Sequence, residues 1–586
     1  MGNNLAALLP FLFYAGSICL LIRYKTWQRV MLLGIPILSI VIFFFLPKGD
    51  SGHLNFFGYV LNISRLDSLS YPFVLIFLIM SILGSIYSLH HTDRLQHCSS
   101  LAYAGSAIGV VLAGDWFTLY VFWELMAIFS TFLILARRTE GARKAAFRYF
   151  SVHVLGGLLL LGGILMELKT PKGLQIGHLD LKGLSSWFIF LGIALNGAIP
   201  PLHAWLKDAY PEATVTGAVF LSAFTTKSAV YLMARVFAGT ELLIWLGAIM
   251  TILPVFYAEV ENDLRRVLSY SIINQVGFMM CGVGIGTQLA INGAVSHAFC
   301  HIIYKALLFM STGAVLHVTG RIRCTELGGV YKTMPITALF CMIAAASISA
   351  FPLFSGFVSK SMIISASENG RLMIAWLMLQ FASAGVIAHA GIKVPFFAFF
   401  GHDRGLRAKE PPINMLFSMG VAAFLCVFLG VYPKPLYQIL PYPVEYVPYT
   451  GYHVISQGEL LLFAILAFYL MLKAGAYPPE LKAINLDLDW FYRRLLGGYL
   501  LPWLLRLIEL ISSWAYRVIS VGLTRSLSLL PLRLPNLLVG LCLGLLRPFS
   551  VYERLKKELL DTLLKEPSSI SMALAVVGIF LLWILL

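Results

Sequence analysis

Residues 296–310 read SHAFCHIIYKALLFM, placing His297, His301 and Lys305 at every fourth position of an otherwise apolar stretch. Four-residue spacing puts all three on one face of a helix. In a bilayer a central lysine alone costs about 2.5–3.5 kcal/mol on insertion scales. Three ionisable groups in register therefore predict a membrane helix whose polar face is turned into protein rather than lipid.

The surrounding chain supports that environment. Of 586 residues, 59% are hydrophobic and 12% charged, and the mean hydropathy is +0.82, far from a soluble globular composition. Stretches long enough to cross a bilayer run at roughly 4–22, 30–46, 69–89, 98–113, 116–136, 149–167, 187–206, 214–238, 242–258, 267–286, 290–318, 334–366, 372–400, 413–432, 459–472 and 570–586, about sixteen in all. The first is followed by RYKTWQR rather than a small-residue cleavage site, so it is expected to remain as a helix. The eight cysteines form no CxxC pair, which gives no iron–sulfur or zinc-ribbon pattern and predicts ordinary buried thiols.

The formal charge of +15 concentrates in loops on one side of the predicted spans, most densely in RRTEGARKAAFR at 137–148. That asymmetry follows the positive-inside rule with the N-terminus outside. It assigns the basic excess to topology and lipid headgroups rather than to nucleic acid.

The expected fold is an all-α polytopic membrane protein with about 14 core transmembrane helices. NGAIPPLHAWLKD at 196–208 and SAFPLFSGFVSK at 349–360 carry proline and glycine inside membrane stretches, and predict broken helices five spans apart. An odd offset makes the two halves inverted repeats. The boundaries read as N-terminal helices at 1–97, a first repeat at 98–238, a second at 242–402 and additional helices at 403–475. Residues 476–567 read as a lateral amphipathic region on the cytoplasmic face, and 568–586 as a C-terminal anchoring helix. Between Trp503 and Leu530 the residues Arg506, Glu509, Ser513, Arg517, Ser520, Thr524 and Ser528 share one helical face, while Pro502, Pro531, Pro535 and Pro548 divide the region.

Three further charges sit inside apolar helices: Glu124 in YVFWELMAIF, Lys227 in SAFTTKSAVYL and Lys360 in GFVSKSMII. Burial disfavours the charged form of both residue types, and histidine titrates near neutrality, so such a set suits proton exchange. The bland alternative is that these groups snorkel at helix ends or form fixed ion pairs. His297 and His301 also have metal-pair spacing, but their stretch supplies no third ligand and Lys305 would repel a cation. His153, His203 and His389 read as isolated core residues. No phosphate loop, nucleophile elbow or paired catalytic carboxylates stand out, and no haem, flavin or quinone ligand pattern is evident.

The stretches DWFTLYVFWELM, PPLHAWLKDAYPEA, DLRRVLSYSIINQVGF, HAFCHIIYKALLF and FPLFSGFVSK together resemble the antiporter-like subunits shared by Mrp-type cation/proton antiporters (their D-type chains), complex I and membrane-bound hydrogenases. The likeness covers roughly residues 65–430. It implies that Glu124 is the family's glutamate of the fifth helix, Lys227 the lysine or histidine of the eighth, and Lys360 the lysine or glutamate at the break of the twelfth. His297, His301 and Lys305 would form the linking proton path. One position departs: Asn196 stands where the family carries the lysine that pairs with the glutamate. Glu124 would then pair with Lys227, hold a cation with the Asn196 amide, or belong to a copy that transmits motion without pumping.

The resemblance implies a proton-translocating subunit of a multisubunit complex in a prokaryotic cell membrane, either redox-driven or an Mrp-type Na⁺/H⁺ antiporter. Its partners would be other integral membrane subunits, including further antiporter-like chains, together with lipid and, in a redox complex, iron–sulfur or nickel–iron subunits. Cofactors are expected in those partners and none in this chain. The alternative is a non-pumping scaffold that docks neighbours through its lateral helix.

Overall fold

A computed structural model describes residues 5–22, 24–56, 58–170, 173–477 and 486–516. Two antiparallel helices open the chain, α1 (Leu5–Cys19) and α2 (Lys25–Phe44), followed by a hairpin of β1 (Gly49–Phe56) and β2 (Tyr59–Leu66). The hairpin departs from the all-helical expectation. Its sequence lies between spans, with Gly58 at the turn between the strands, and its register pairs His53 with Asn62. It anchors the next helices: the Gly114 amide donates to the Asn62 carbonyl, and the Asn62 amide donates to Asp115 Oδ2 at 2.7 Å.

The membrane core continues through α3 (Ser70–Ser88), α4 (Arg94–Leu112), α5 (Trp116–Leu135), α6 (Glu140–Glu167) and α7 (Leu184–Asn196). After the short α8 (Ala204–Ala209) come α9 (Val215–Ala223), α10 (Thr225–Val236), α11 (Glu241–Val260), α12 (Leu264–Ile285) and α13 (Gln288–Thr319). Then follow α14 (Pro335–Ile348), α15 (Ser355–Asn369), α16 (Met373–Val386, continued by π-helical turns to Phe400), α17 (Ile413–Val431), α18 (Lys434–Gln438) and α19 (Gly451–Lys473). Among the described residues, eleven spans are long and apolar enough to cross a membrane, counting α9 with α10 as one. Each of the fifteen predicted stretches up to residue 472 coincides with helix, and the stretch at 570–586 lies outside the described residues.

Helix starts follow side-chain chemistry. Asp93, Asp115, Thr139, Thr214, Asp263 and Thr287 each cap a helix by accepting from backbone N–H groups of its first turn. Gly286 and Gly320, both left-handed, close α12 and α13. The α11 and α12 backbones approach closely because Gly247 and Gly277 leave no room for a Cβ against Cys281 and Thr251.

The interruptions are real, and there is one more than the prolines indicate. α7 stops at Asn196 and the chain turns through Ala198, at φ 55°, before α8. α14 stops at Ile348, and Ala350 and Leu353 take φ of 57° and 73° before α15 begins. A third, unforeseen interruption at Phe224 separates α9 from α10 without any proline. Breaks at membrane depth are tolerated where protein surrounds them, and the residues from Phe220 to Ser228 are buried.

The chain divides into two compact units, residues 1–491 and 492–586. α20 (Leu488–Tyr492) ends the first. The described part of the second comprises π-helical turns at Arg493–Leu500 and α21 (Leu501–Tyr516). Pro502 is tolerated there as the second residue of the helix. The predicted polar face beyond Tyr516 lies outside the described residues.

Candidate functional site

Lys227 and Lys360 are fully buried and held in the same manner. Lys227 Nζ donates to the Ser222 carbonyl at 2.6 Å, and Lys360 Nζ to the Ile348 carbonyl at 3.0 Å. Ser222 precedes the interruption at Phe224, and Ile348 is the last residue of α14, so each lysine meets the carbonyl end of a broken helix. Carbonyls freed at a helix C-terminus carry partial negative charge, which suits a cation. The broken helices thus supply the lysines' partners. Lys360 also lies over the Phe278 ring, 5.2 Å from its centroid.

Between them runs the polar face of α13, all of it buried. Among the described residues Lys305 Nζ and both ring nitrogens of His301 have no hydrogen-bond partner. His301 lies in the field of Lys227, Lys305, His297 and Lys360. His297 is tied at both nitrogens: Nδ1 is 3.1 Å from Ser359 Oγ and Nε2 is 3.1 Å from Gln275 Oε1. The Tyr304 hydroxyl donates to the same Gln275 oxygen at 3.1 Å. The Ser359 hydroxyl thus ties the polar face of α13 to α15, one residue before Lys360 in sequence. Groups with free polar atoms in a dry interior are costly unless water or a transferable proton occupies the gaps.

Glu124 and Asn196 stand on either side of α6. A Cβ at Gly157 would collide with Glu124 Oε1, whereas one at Gly156 would lie 3.5 Å from Asn196 Oδ1. Glu124 Oε1 and both amide atoms of Asn196 are buried without a hydrogen-bond partner. Lys227 is engaged by a carbonyl and makes no ion pair with Glu124, so the pairing considered from sequence is absent.

Two histidines read as isolated are not. His389, in the π-helical continuation of α16, lies in the field of Lys305, Lys393 and Lys360. His203 is buried 3.2 Å from Asp487 Oδ1, and Lys207 bridges Asp487 at 2.9 Å and Asp489 at 2.8 Å. The Tyr270 hydroxyl donates to Asp487 at 3.0 Å. The spacing that singled out His301 and Lys305 recurs at His203 and Lys207, and was the available signal. His153, by contrast, is a packed core residue, bonded to the Tyr149 carbonyl and stacked on the Tyr149 ring. Gln275, Tyr304 and Ser359 carried no sequence signal, because neutral polar residues are common in such helices.

Arg265 fixes the loop that brings His203 and Lys207 together. It is 2% exposed and donates to the carbonyls of Tyr210, Pro211, Ala213 and Thr214. The DLRR and HAWLKDAYPEA stretches thereby form one structural unit.

Comparison with known proteins agrees with this architecture. The family described as "NADH:quinone oxidoreductase/Mrp antiporter, TM" matches residues 113–388. Na(+)/H(+) antiporter subunit A1 of Staphylococcus haemolyticus (strain JCSC1435) is 30% identical over 502 residues, covering 75% of this chain and 62% of that one. The same protein of Staphylococcus aureus (strain JH9) is 29% identical over 494 residues, covering 73% and 61%. These relatives are A subunits, and the chain spans about three fifths of their length. Among solved structures, the Mrp complex from Dietzia sp. DQ12-45-1b superposes with a TM-score of 0.76 at 22% identity, over 89% of this chain and 62% of that chain. The membrane-bound sulfane sulfur reductase, an archaeal respiratory membrane complex, superposes with a TM-score of 0.69 at 21% identity, over 92% and 98%. The segment that matches this family model, residues 113–388, carries Glu124, Asn196, Lys227, the α13 face and Lys360.

Proposed function

We propose that the chain is a proton-translocating, antiporter-like subunit of a multisubunit complex in a prokaryotic cell membrane. The observation that carries this reading is the buried series Lys227, Lys305, His301, His297 and Lys360, in which no member forms an ion pair among the described residues. A fixed structural salt bridge would need a carboxylate beside each lysine, whereas a lysine held only by a carbonyl can release its proton. The inverted repeats at 98–238 and 242–402 would then each present one broken helix to the path. With an outside N-terminus, the basic loops and the lateral region would lie on the cytoplasmic side.

The driving force would come from partners. An opposing Na⁺ or H⁺ gradient is the arrangement suggested by the A1 relatives, and iron–sulfur or nickel–iron subunits would supply it in a redox complex. Proton movement into vesicles carrying the assembled complex tests the proposal. Lys227→Ala and Lys360→Ala are each expected to abolish it while leaving the complex intact, and unaltered transport in both would overturn it.

A second reading, a coupling scaffold that does not pump, is favoured by one observation: among the described residues Glu124 makes no ion pair with a lysine, and its Oε1 lacks a hydrogen-bond partner. On that reading the two lysine variants leave transport intact, and deleting residues 487–586 disperses the complex.

A further inference from the structure

Away from the lysine series, three histidines converge where α3, α13 and α17 meet. α3 ends at Ser88, and the chain turns through His90 and His91 before Asp93 caps α4. His317 occupies the last turn of α13, three residues before the left-handed Gly320. The His90 and His91 rings lie 4.3 Å apart between centroids, with His317 at 5.0 and 6.0 Å from them. One nitrogen from each ring lies within 4.8 Å of the other two.

Residues far apart in sequence hold this arrangement. Asn414 Nδ2 donates to the Ile86 and Tyr87 carbonyls at 2.9 and 3.1 Å and lies 3.1 Å from His90 Nδ1. The Tyr87 backbone also hydrogen-bonds the His90 ring, and among the described residues its Nε2 is buried with no hydrogen-bond partner. A ring that donates one N–H to a backbone carbonyl and leaves the other nitrogen bare is the arrangement that outer partners impose on a metal-ligating histidine. His317 is exposed and leaves the cluster open to solvent, where water would complete the coordination.

We propose that His90, His91 and His317 form a site for a divalent transition ion of the Zn²⁺ type. Imidazole ligands select zinc, copper, nickel or cobalt over magnesium and calcium. Tetrahedral ligation at about 2.0–2.1 Å brings ligand nitrogens to roughly 3.4 Å of one another, so closure needs ring movements on the order of an ångström. A bound ion would clamp the α3–α4 turn to the end of α13, the helix that carries His297, His301 and Lys305. The site stands independently of the transport reading, because none of its residues belongs to the lysine series.

Co²⁺ titration of the untagged full-length protein in mild detergent tests the site, since tetrahedral cobalt absorbs in the visible. Wild type is expected to develop that band at one ion per chain, and Zn²⁺ to bleach it by competition. His317→Gln, at an exposed position that folding does not require, should weaken binding by at least about tenfold. His53→Gln, on the hairpin, should change nothing. Zn²⁺ should also raise the Tm of wild type and not that of His317→Gln. Absence of the band in wild type, or a band of undiminished affinity in His317→Gln, would overturn the assignment.

Discussion

The carboxyl of Glu124 fills the space that a side chain at Gly157 would need. α5 and α6 therefore meet at a point where the charged group of one helix is accommodated only because the other has no Cβ. Gly156, one residue earlier, faces Asn196 across ordinary van der Waals distances, the nearest atom lying 3.4 Å from a built Cβ. Gly157 thus meets a carboxyl and Gly156 an amide.

Gly157→Ala is accordingly expected to force Glu124 out of its place, at a cost of about 1–3 kcal/mol of the kind seen on overpacking. Transport in vesicles should fall to the level of Glu124→Gln. Gly156→Ala, which adds the same methyl where room exists, should retain most of the rate. Equal effects of the two alanines would separate the glycines from the function of Glu124.

The polar face of α13 is tied to α15 by one side-chain hydroxyl, Ser359 Oγ, 3.1 Å from His297 Nδ1. Ser359→Ala should slow proton transfer by about tenfold, equivalent to about 1.4 kcal/mol on the barrier, with little effect on assembly. Ser359→Thr keeps the hydroxyl and should keep the rate. A pH-sensitive dye inside vesicles gives both rates. Similar slowing by alanine and threonine would assign the effect to packing.

Much of this arrangement was legible in the sequence because membrane burial makes charge conspicuous. Lys227, Lys305 and Lys360 stand out as cations in apolar runs, and Pro201 and Pro352 announce two of the three breaks. The break at Phe224 was not legible. Its flanking residues include no proline or glycine, and the interruption accompanies the Lys227 bond to Ser222, a contact that a sequence pattern does not encode. The hairpin was obscured for a related reason, since a short loop between spans offers a weak period-2 pattern beside strong apolar segments. Asp487 and Asp489 fall in the stretch read as a lateral amphipathic region, and their partners His203 and Lys207 lie more than 280 positions away.

Asp487 has no exposed side-chain surface and faces His203, Lys207 and Tyr270. Burial raises its carboxyl pKa, but the hydrogen bond and charge of His203, followed by those of Lys207, outweigh this and hold it well below the usual carboxylate range. A depressed folded-state value contributes stability that is present above the unfolded value, about 4, and is lost as pH falls through the folded one. Asp487→Asn leaves Lys207 with Asp489 alone and should destabilise the protein at pH 7 by on the order of 3 kcal/mol, the scale for breaking a buried pair. The difference in Tm between wild type and variant should narrow progressively below about pH 4. A difference independent of pH would remove the ionic part of the argument.

Asn196 is fully buried with neither amide atom bonded, so its site already tolerates an unmet polar group. Asn196→Lys introduces a cation on the far side of the Gly156–Gly157 pair from Glu124. Alone in that environment a lysine would be strongly unfavourable, and Glu124 is the group positioned to compensate it. Combining Asn196→Lys with Glu124→Gln should therefore destabilise the protein by more than the two single changes summed, with a coupling of about 1 kcal/mol or more between them. Thermal unfolding of the four proteins of the cycle measures this directly. A coupling near zero would mean that the carboxyl and the amide position do not sense each other across α6.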